Sequence, residues 1–66
     1  MVLKVIEILA SSTKSWEDAA NNAVNEASKS VRGIRSINIS NQSAIVEDGK
    51  ISEFRINCKI SFEIER

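Results

Sequence analysis

The chain has 66 residues with nine basic and nine acidic side chains, so its formal charge is zero, its pI is near 6.2, and the broad positive field used in non-specific nucleic-acid binding is absent. A lone domain of this size buries only about 60% of the surface its unfolded chain exposes. Neither usual staple is at hand, because the single Cys58 closes no disulfide within the chain and, without histidine, no Cys/His zinc site can be assembled.

The first predicted element is a strand, Val2-Leu3-Lys4-Val5-Ile6-Glu7-Ile8-Leu9-Ala10, β-branched and apolar on both alternating faces with one charge on each. That pattern predicts partial cover on both sides. The stretch is interrupted by Lys4 and Glu7 and falls far short of the roughly 20 residues a membrane span needs. With no cleavage pattern and no basic leader it reads as a strand and not as a signal peptide. The expectation is a soluble, cytoplasmic protein without a membrane partner, and one free thiol fits that compartment.

Ser11, Ser12, Thr13 and Lys14 form a polar break, after which Ser15 is placed as an N-cap whose hydroxyl accepts from the Asp18 amide, with Asp18 giving a weaker version of the capping box. From Trp16 the apolar residues Ala19, Ala20, Ala23, Val24, Ala27 and Val31 fall on one stripe of a 3.6-period helix, opposite Glu17, Asn21, Asn25 and Lys29. Acids in the first turn, Lys29 and Arg32 near the end and Gly33 as a left-handed C′ residue predict a helix of about 17 residues. Its stripe is mostly alanine, so it lies close to a sheet but brings little bulk beyond Trp16.

The second strand runs from Ile34 to Val46, where Ile37 and Ile39 alternate with Ser36, Asn38 and Ser40. Asp48-Gly49 between two strands marks a two-residue hairpin, since a type I′ turn needs positive φ at both central positions. The third strand, Ile51 to Glu65, alternates throughout: Phe54, Ile56, Cys58, Ile60, Phe62 and Ile64 on one face, Glu53, Arg55, Asn57, Lys59, Ser61 and Glu63 on the other. With Asp48 and Gly49 as the turn, Ile39 falls opposite Cys58, Ile37 opposite Ile60 and Asn38 opposite Lys59, so apolar meets apolar and polar meets polar. Strands one and two flank a helix and therefore run parallel in one sheet, with the third inserted between them. The fold class is α+β: a β-α-β-β subunit, a three-stranded antiparallel sheet of order 1-3-2 packed on one helix, with residues 1–66 forming a single domain.

A strand of about 14 residues spans roughly 46 Å, whereas a compact chain of this length has a diameter around 28 Å. The hairpin must bend or project beyond its helix. One helix covers only part of one sheet face and leaves apolar positions such as Phe54 without a partner in the same chain. Copies of the chain are the natural cover, giving a closed homo-oligomeric shell. The alternative is a monomer with a strongly coiled hairpin.

Val5-Ile6-Glu7-Ile8 with the following Ser/Thr turn, the Ser15-Trp16 helix start, Asp18-Ala19-Ala20-Asn21-Asn22-Ala23-Val24, the Gly33-Ile34 exit and Lys59-Ile60-Ser61-Phe62-Glu63 together resemble the dodecin family over nearly the whole chain. The resemblance implies twelve copies forming a hollow shell, a homododecamer, that binds and stores flavins such as riboflavin or FMN. Flavin-binding dodecins stack the ring on a tryptophan near the start of the second strand and hold its edge with a glutamine in the third; the matching positions here are Ser36 and Arg55. An aromatic face supplies flat contact area that Ser36 does not offer, so the departure implies weak or absent flavin binding. Trp16 belongs to the helix stripe and is read as core. The chain is closer to dodecin-like members that lack this tryptophan, some of which are associated with calcium.

Calcium takes six to eight oxygens, and no acid-rich loop resembling an EF-hand is present. Near a three-fold axis one carboxylate becomes three, and Glu47 with Asp48 at the hairpin tip, or Glu63 with Glu65, are the candidates, with solvated charges as the plain alternative. Arg55, Lys59 and Arg35 offer an acidic or phosphate-bearing ligand a polar face, against which stand intersubunit ion pairs with Glu53 and Glu63. The Ser11-Ser12-Thr13 run suits either an anion or a cap. For catalysis there is no histidine, no Gly-rich phosphate loop and no nucleophile with a paired base, and Cys58 falls on the buried face where a thiol is a small hydrophobe. The sequence reads as a binding protein and not as an enzyme.

Overall fold

The computed structural model describes residues 1–64, and the chain runs β1 (Leu3–Ser12), α1 (Trp16–Ala27), β2 (Ile34–Glu47) and β3 (Lys50–Glu63). The strands form one antiparallel sheet in the order β1-β3-β2. The centre falls to β3 because its unbroken alternation lets both neighbours match it: Ile60 lies between Ile6 and Ile37, and Cys58 between Ile8 and Ile39.

The start of α1 is set by local hydrogen bonds. Ser15 is extended, at φ −170° and ψ 165°, and its hydroxyl accepts from the Asp18 amide at 2.9 Å. Asp18 does not close a capping box. Its carboxylate accepts instead from the Ser12 hydroxyl at 2.6 Å, and Ser12 Oγ accepts from the Lys14 amide at 2.8 Å. These bonds tie the end of β1 to the first helical turn, which is why a serine is buried there.

The far end corrects the sequence reading. The helix stops at Ala27, where Ser28 is the C-cap and its hydroxyl donates to the Asn25 carbonyl at 2.8 Å. A serine that takes backbone acceptors for itself favours termination, and residues 28–30 form a turn. Gly33, at φ 72°, is thus not the helix cap. It opens β2, and its carbonyl accepts from the Glu63 amide at 2.9 Å.

Ala19, Ala23 and Ala27 meet Ile56, Cys58 and Ile60 to form the buried core, with Ile6, Ile8, Ala10, Val24, Ile34 and Ile37 packed partly buried around it. Phe54 does find a partner in its own chain. Trp16 packs edge-on against it, ring centroids 4.9 Å apart and planes at 80°, an arrangement contributing about 0.5–1.5 kcal/mol beyond area burial. The half-buried Trp16 also donates its indole N–H to the carbonyl of Ser43 on β2, at 2.8 Å.

All three expected hairpin pairs, Ile39 with Cys58, Ile37 with Ile60 and Asn38 with Lys59, are present. Asp48 and Gly49 take φ 54° and 75° in the turn. The intervening register is not simple, however. It slips between Ile45 and Val46, where β3 carries Ser52 as an extra residue, and slips back between Ile39 and Asn41, where β2 carries Ser40. Two bulges cancel. Between them Ala44 comes opposite Phe54, and Ser43 comes opposite Arg55.

The subunit measures 51 × 19 × 13 Å with a radius of gyration of 13.4 Å, against about 11 Å for a compact chain of this length. Its accessible surface of 4930 Å² exceeds the roughly 4,200 Å² expected of a folded protein of this mass. Much of the excess is apolar. On β1, Ile6, Ile8 and Ala10 lie beneath the helix, whereas Leu3, Val5 and Leu9 alternate with them onto the bare face, Leu9 at 72% exposure. The strand expected to be covered on both sides is covered on one. At the hairpin tip Val46 and Ile51 pair with each other and are also exposed.

Candidate ligand-binding site on the open face of the sheet

Every second residue of β3 points away from the helix, and its partners on both neighbouring strands share that face. The rows that result are Glu7, Lys59 and Asn38; Leu9, Asn57 and Asn41; and Ser11, Arg55 and Ser43. The three cations of this face differ in their company. Lys59 has the carboxylate of Glu7 as its register partner. Arg35, an extra residue between Ile34 and Ser36, pairs with Glu63 at 2.5 Å. Arg55 is flanked by two hydroxyl-bearing residues and, among the described residues, makes no ion pair.

Ser36 and Arg55 do not come together within one chain. Ser36 is at the opposite end of β2, its hydroxyl 2.5 Å from that of Ser61. Arg55 lies about 20 Å further along the sheet at strand spacing. A pocket using both positions needs two copies of the chain. The two rings that stand in contact, Trp16 and Phe54, pack against each other on the helix side.

Around Arg55 the open face forms a groove of about 480 Å³, lined by Leu9, Ser11, Asn41, Ser43, Asn57 and Glu53 among others. Asn57 Oδ1 is buried there without a hydrogen-bond partner among the described residues, and a buried acceptor left unmade is costly. Sequence reasoning singled out Arg55 and set Asn57 on the same face of its strand, but missed Ser43 and Asn41 as its neighbours. The available signal was the phase of β2: Ile37 and Ile39 share a parity with Asn41 and Ser43, a switch from apolar to polar that marks a bulge.

The carboxylate candidates stay apart. Among the described residues no three Asp, Glu, Cys or His side chains are grouped to hold a metal ion. Glu47 is paired in register with Lys50, Asp48 is a turn residue, and Glu63 is held by Arg35. Glu65 lies outside the described residues. The one thiol, on Cys58, is fully buried, lies 3.5 Å from the Ile8 carbonyl oxygen and is pushed up from its ordinary value by burial, so the nucleophilic thiolate is disfavoured.

The geometry defines a small helix-on-sheet module that buries one sheet face and leaves a polar, grooved face open. A family model described as Dodecin matches residues 2–65, and the chain belongs to the dodecin family. Calcium dodecin of Mycobacterium tuberculosis is 42% identical over 64 residues, covering 96% of this chain and 89% of that protein. The solved structure of the same organism's calcium-chelating immunodominant antigen, calcium dodecin, described as having a novel calcium-binding site, is 41% identical with a TM-score of 0.83, covering 98% of this chain and 93% of that one. Dodecin from Streptomyces coelicolor overlays with a TM-score of 0.93 at 25% identity over 98% of this chain and 93% of that one. Dodecin from Streptomyces davaonensis shares the fold, with a TM-score of 0.93 at 20% identity, covering 98% of this chain and 96% of that one.

Proposed function

We propose that this chain, a single dodecin-like domain over residues 1–66, is a non-catalytic binding and storage protein of the cytoplasm that works as a closed homododecamer. The observation that carries the reading is the surface excess: the subunit exposes Leu3, Val5, Leu9, Val46 and Ile51 on an elongated frame where, among the described residues, the largest fully buried side chains are Ile60 and Cys58. A core that small leaves a thin stability margin. Among the described residues no helix is long and apolar enough to cross a membrane. The buried, protonated Cys58 supports a role without covalent chemistry.

Flavin is a poor occupant. In a shell, Ser36 of one copy and Arg55 of another stand where flavin-binding dodecins carry tryptophan and glutamine, and a serine engaged with Ser61 presents no stacking surface. Calcium is the second reading, supported by the calcium dodecin relative. Among the described residues of one chain no carboxylates are grouped to hold an ion, so this reading needs Glu47 and Asp48, or Glu63 with Glu65, of several copies brought to one axis.

Size-exclusion chromatography with light scattering tests the assembly: a mass near twelve times 7.3 kDa is expected, and a monomer peak overturns it. In the same sample riboflavin fluorescence stays unquenched, and Ser36→Trp raises flavin affinity. A melting temperature indifferent to both calcium and chelator removes the calcium reading.

A further inference from the structure

We infer that copies of this chain dock head to tail: the hairpin tip of one copy, where Val46 and Ile51 stand bare among carboxylates, seats on the opposite end of the next copy, where Val2 and Ile64 stand bare among cations. This rests on the assembly proposed above and names two surfaces that build it.

The two ends lie along the 51 Å length of the subunit and are made differently. β1 stops at Ser12, level with Phe54, and Trp16 at the start of α1 packs on that same Phe54. Residues 45–52 therefore run on as a two-stranded ribbon with no third strand beside them among the described residues. Such a ribbon is marginal in water on its own, and this one sets the exposed Val46 opposite the exposed Ile51. At the far end the Ile64 amide donates to the Val2 carbonyl at 3.0 Å. That bond brings two more exposed apolar residues together.

The charges around the two patches have opposite sign. On the tip Glu47 has Lys50 as its register partner, which leaves Asp48 and Glu53. At the far end Lys29 is paired with Glu26 and Arg35 with Glu63, which leaves Lys4 and Arg32. Among the described residues, two uncommitted carboxylates thus rim one apolar patch and two uncommitted cations rim the other. Tip against tip brings Asp48 and Glu53 onto their own copies, and far end against far end does the same to Lys4 and Arg32. Like charges repel in both cases. Tip against far end joins unlike charges around an apolar centre, as in a specific interface. A contact made by two different patches is heterologous, and a ring of copies closes it.

Two experiments on the full chain test this, with light scattering and circular dichroism recorded on each sample. In the first, Ile51→Cys and Val2→Cys chains, both in a Cys58→Val background, are co-expressed and oxidised. A bridge needs the two Cα atoms within about 7 Å, so dimers holding one chain of each kind are expected in about tenfold or greater excess over dimers of like chains. In the second, charges are exchanged. Asp48→Asn with Glu53→Lys at the tip, or Lys4→Glu with Arg32→Glu at the far end, raises the concentration of half-dissociation by about tenfold or more. A chain carrying all four substitutions recovers the wild-type value, together with any helical signal lost in either pair.

Dimers formed only between Ile51→Cys chains show a tip-to-tip contact and overturn the inference, as does a four-substitution chain that recovers nothing. A shell-sized mass kept by both charge-reversed pairs, with no mixed dimer, overturns the inference and leaves the shell standing. A mixed dimer from an assembly of only a few copies upholds the inference and sinks the dodecamer.

Discussion

The two faces of the sheet are made from the same three strands and meet opposite conditions. On the helix side, Ile56, Cys58 and Ile60 are closed over by Ala19, Ala23 and Ala27, and Phe54 is capped by Trp16. On the other side, Leu3, Val5 and Leu9 stand bare beside a polar row of Ser, Asn, Lys and Arg. One face is a finished core and the other is left bare. Alternation alone produces this, because a strand apolar at both parities needs cover twice and the chain supplies one helix.

Four substitutions sharpen that contrast. The largest effect is expected inside the finished core: Ile60→Ala removes a fully buried side chain and costs about 2–5 kcal/mol, enough to collapse the helical circular dichroism of so small a domain at room temperature. Next comes the unfinished face. Leu9→Asn leaves the intrachain packing alone, and once neighbouring copies cover position 9 it costs about 1.5–3 kcal/mol per copy. Light scattering then shows smaller species, whereas an unchanged mass would place Leu9 outside any interface.

Ser15→Ala removes the hydroxyl that accepts from the Asp18 amide and lowers stability by about 1 kcal/mol in urea titrations. The smallest effect is confined to alkaline pH. Burial raises the Cys58 thiol above its ordinary 9.0, so the folded form holds its proton more tightly than the unfolded one. That contribution is fully present below 9.0 and is lost as pH rises through the folded value. The urea midpoint is thus flat around neutrality and falls in the alkaline range, and Cys58→Val removes the fall.

Most of the fold is legible in the residues. The alternation of β3 announces a central strand, Asp48-Gly49 announces the turn, and Ser15 announces the cap, because each is a local signal with one physical cause. The helix end was misplaced because the apolar stripe runs on to Val31 while the competing bond of Ser28 depends on geometry that periodicity does not encode. Phe54 gained its partner because Trp16 lies one helical turn ahead of Ala20 and above the bulged part of the hairpin, a juxtaposition set by tertiary packing.

The site was less legible. Arg55 was visible as a charge, but its neighbours follow from a register that two bulges shift and then restore. Pairs read from the turn outward are therefore right at Cys58 and Ile60 and wrong in the stretch between, where the groove lies. Ser36 and Arg55 were named together by resemblance, and one chain holds them about 20 Å apart along the sheet.

The central claim is that the bare face is completed by copies of the same chain. A dilution series following sedimentation and the helical signal together tests it most directly. The account predicts a multiple of 7.3 kDa at micromolar concentration, with dissociation and loss of helical structure occurring together on dilution. A folded species of single-chain mass, unchanged at every concentration, would contradict it.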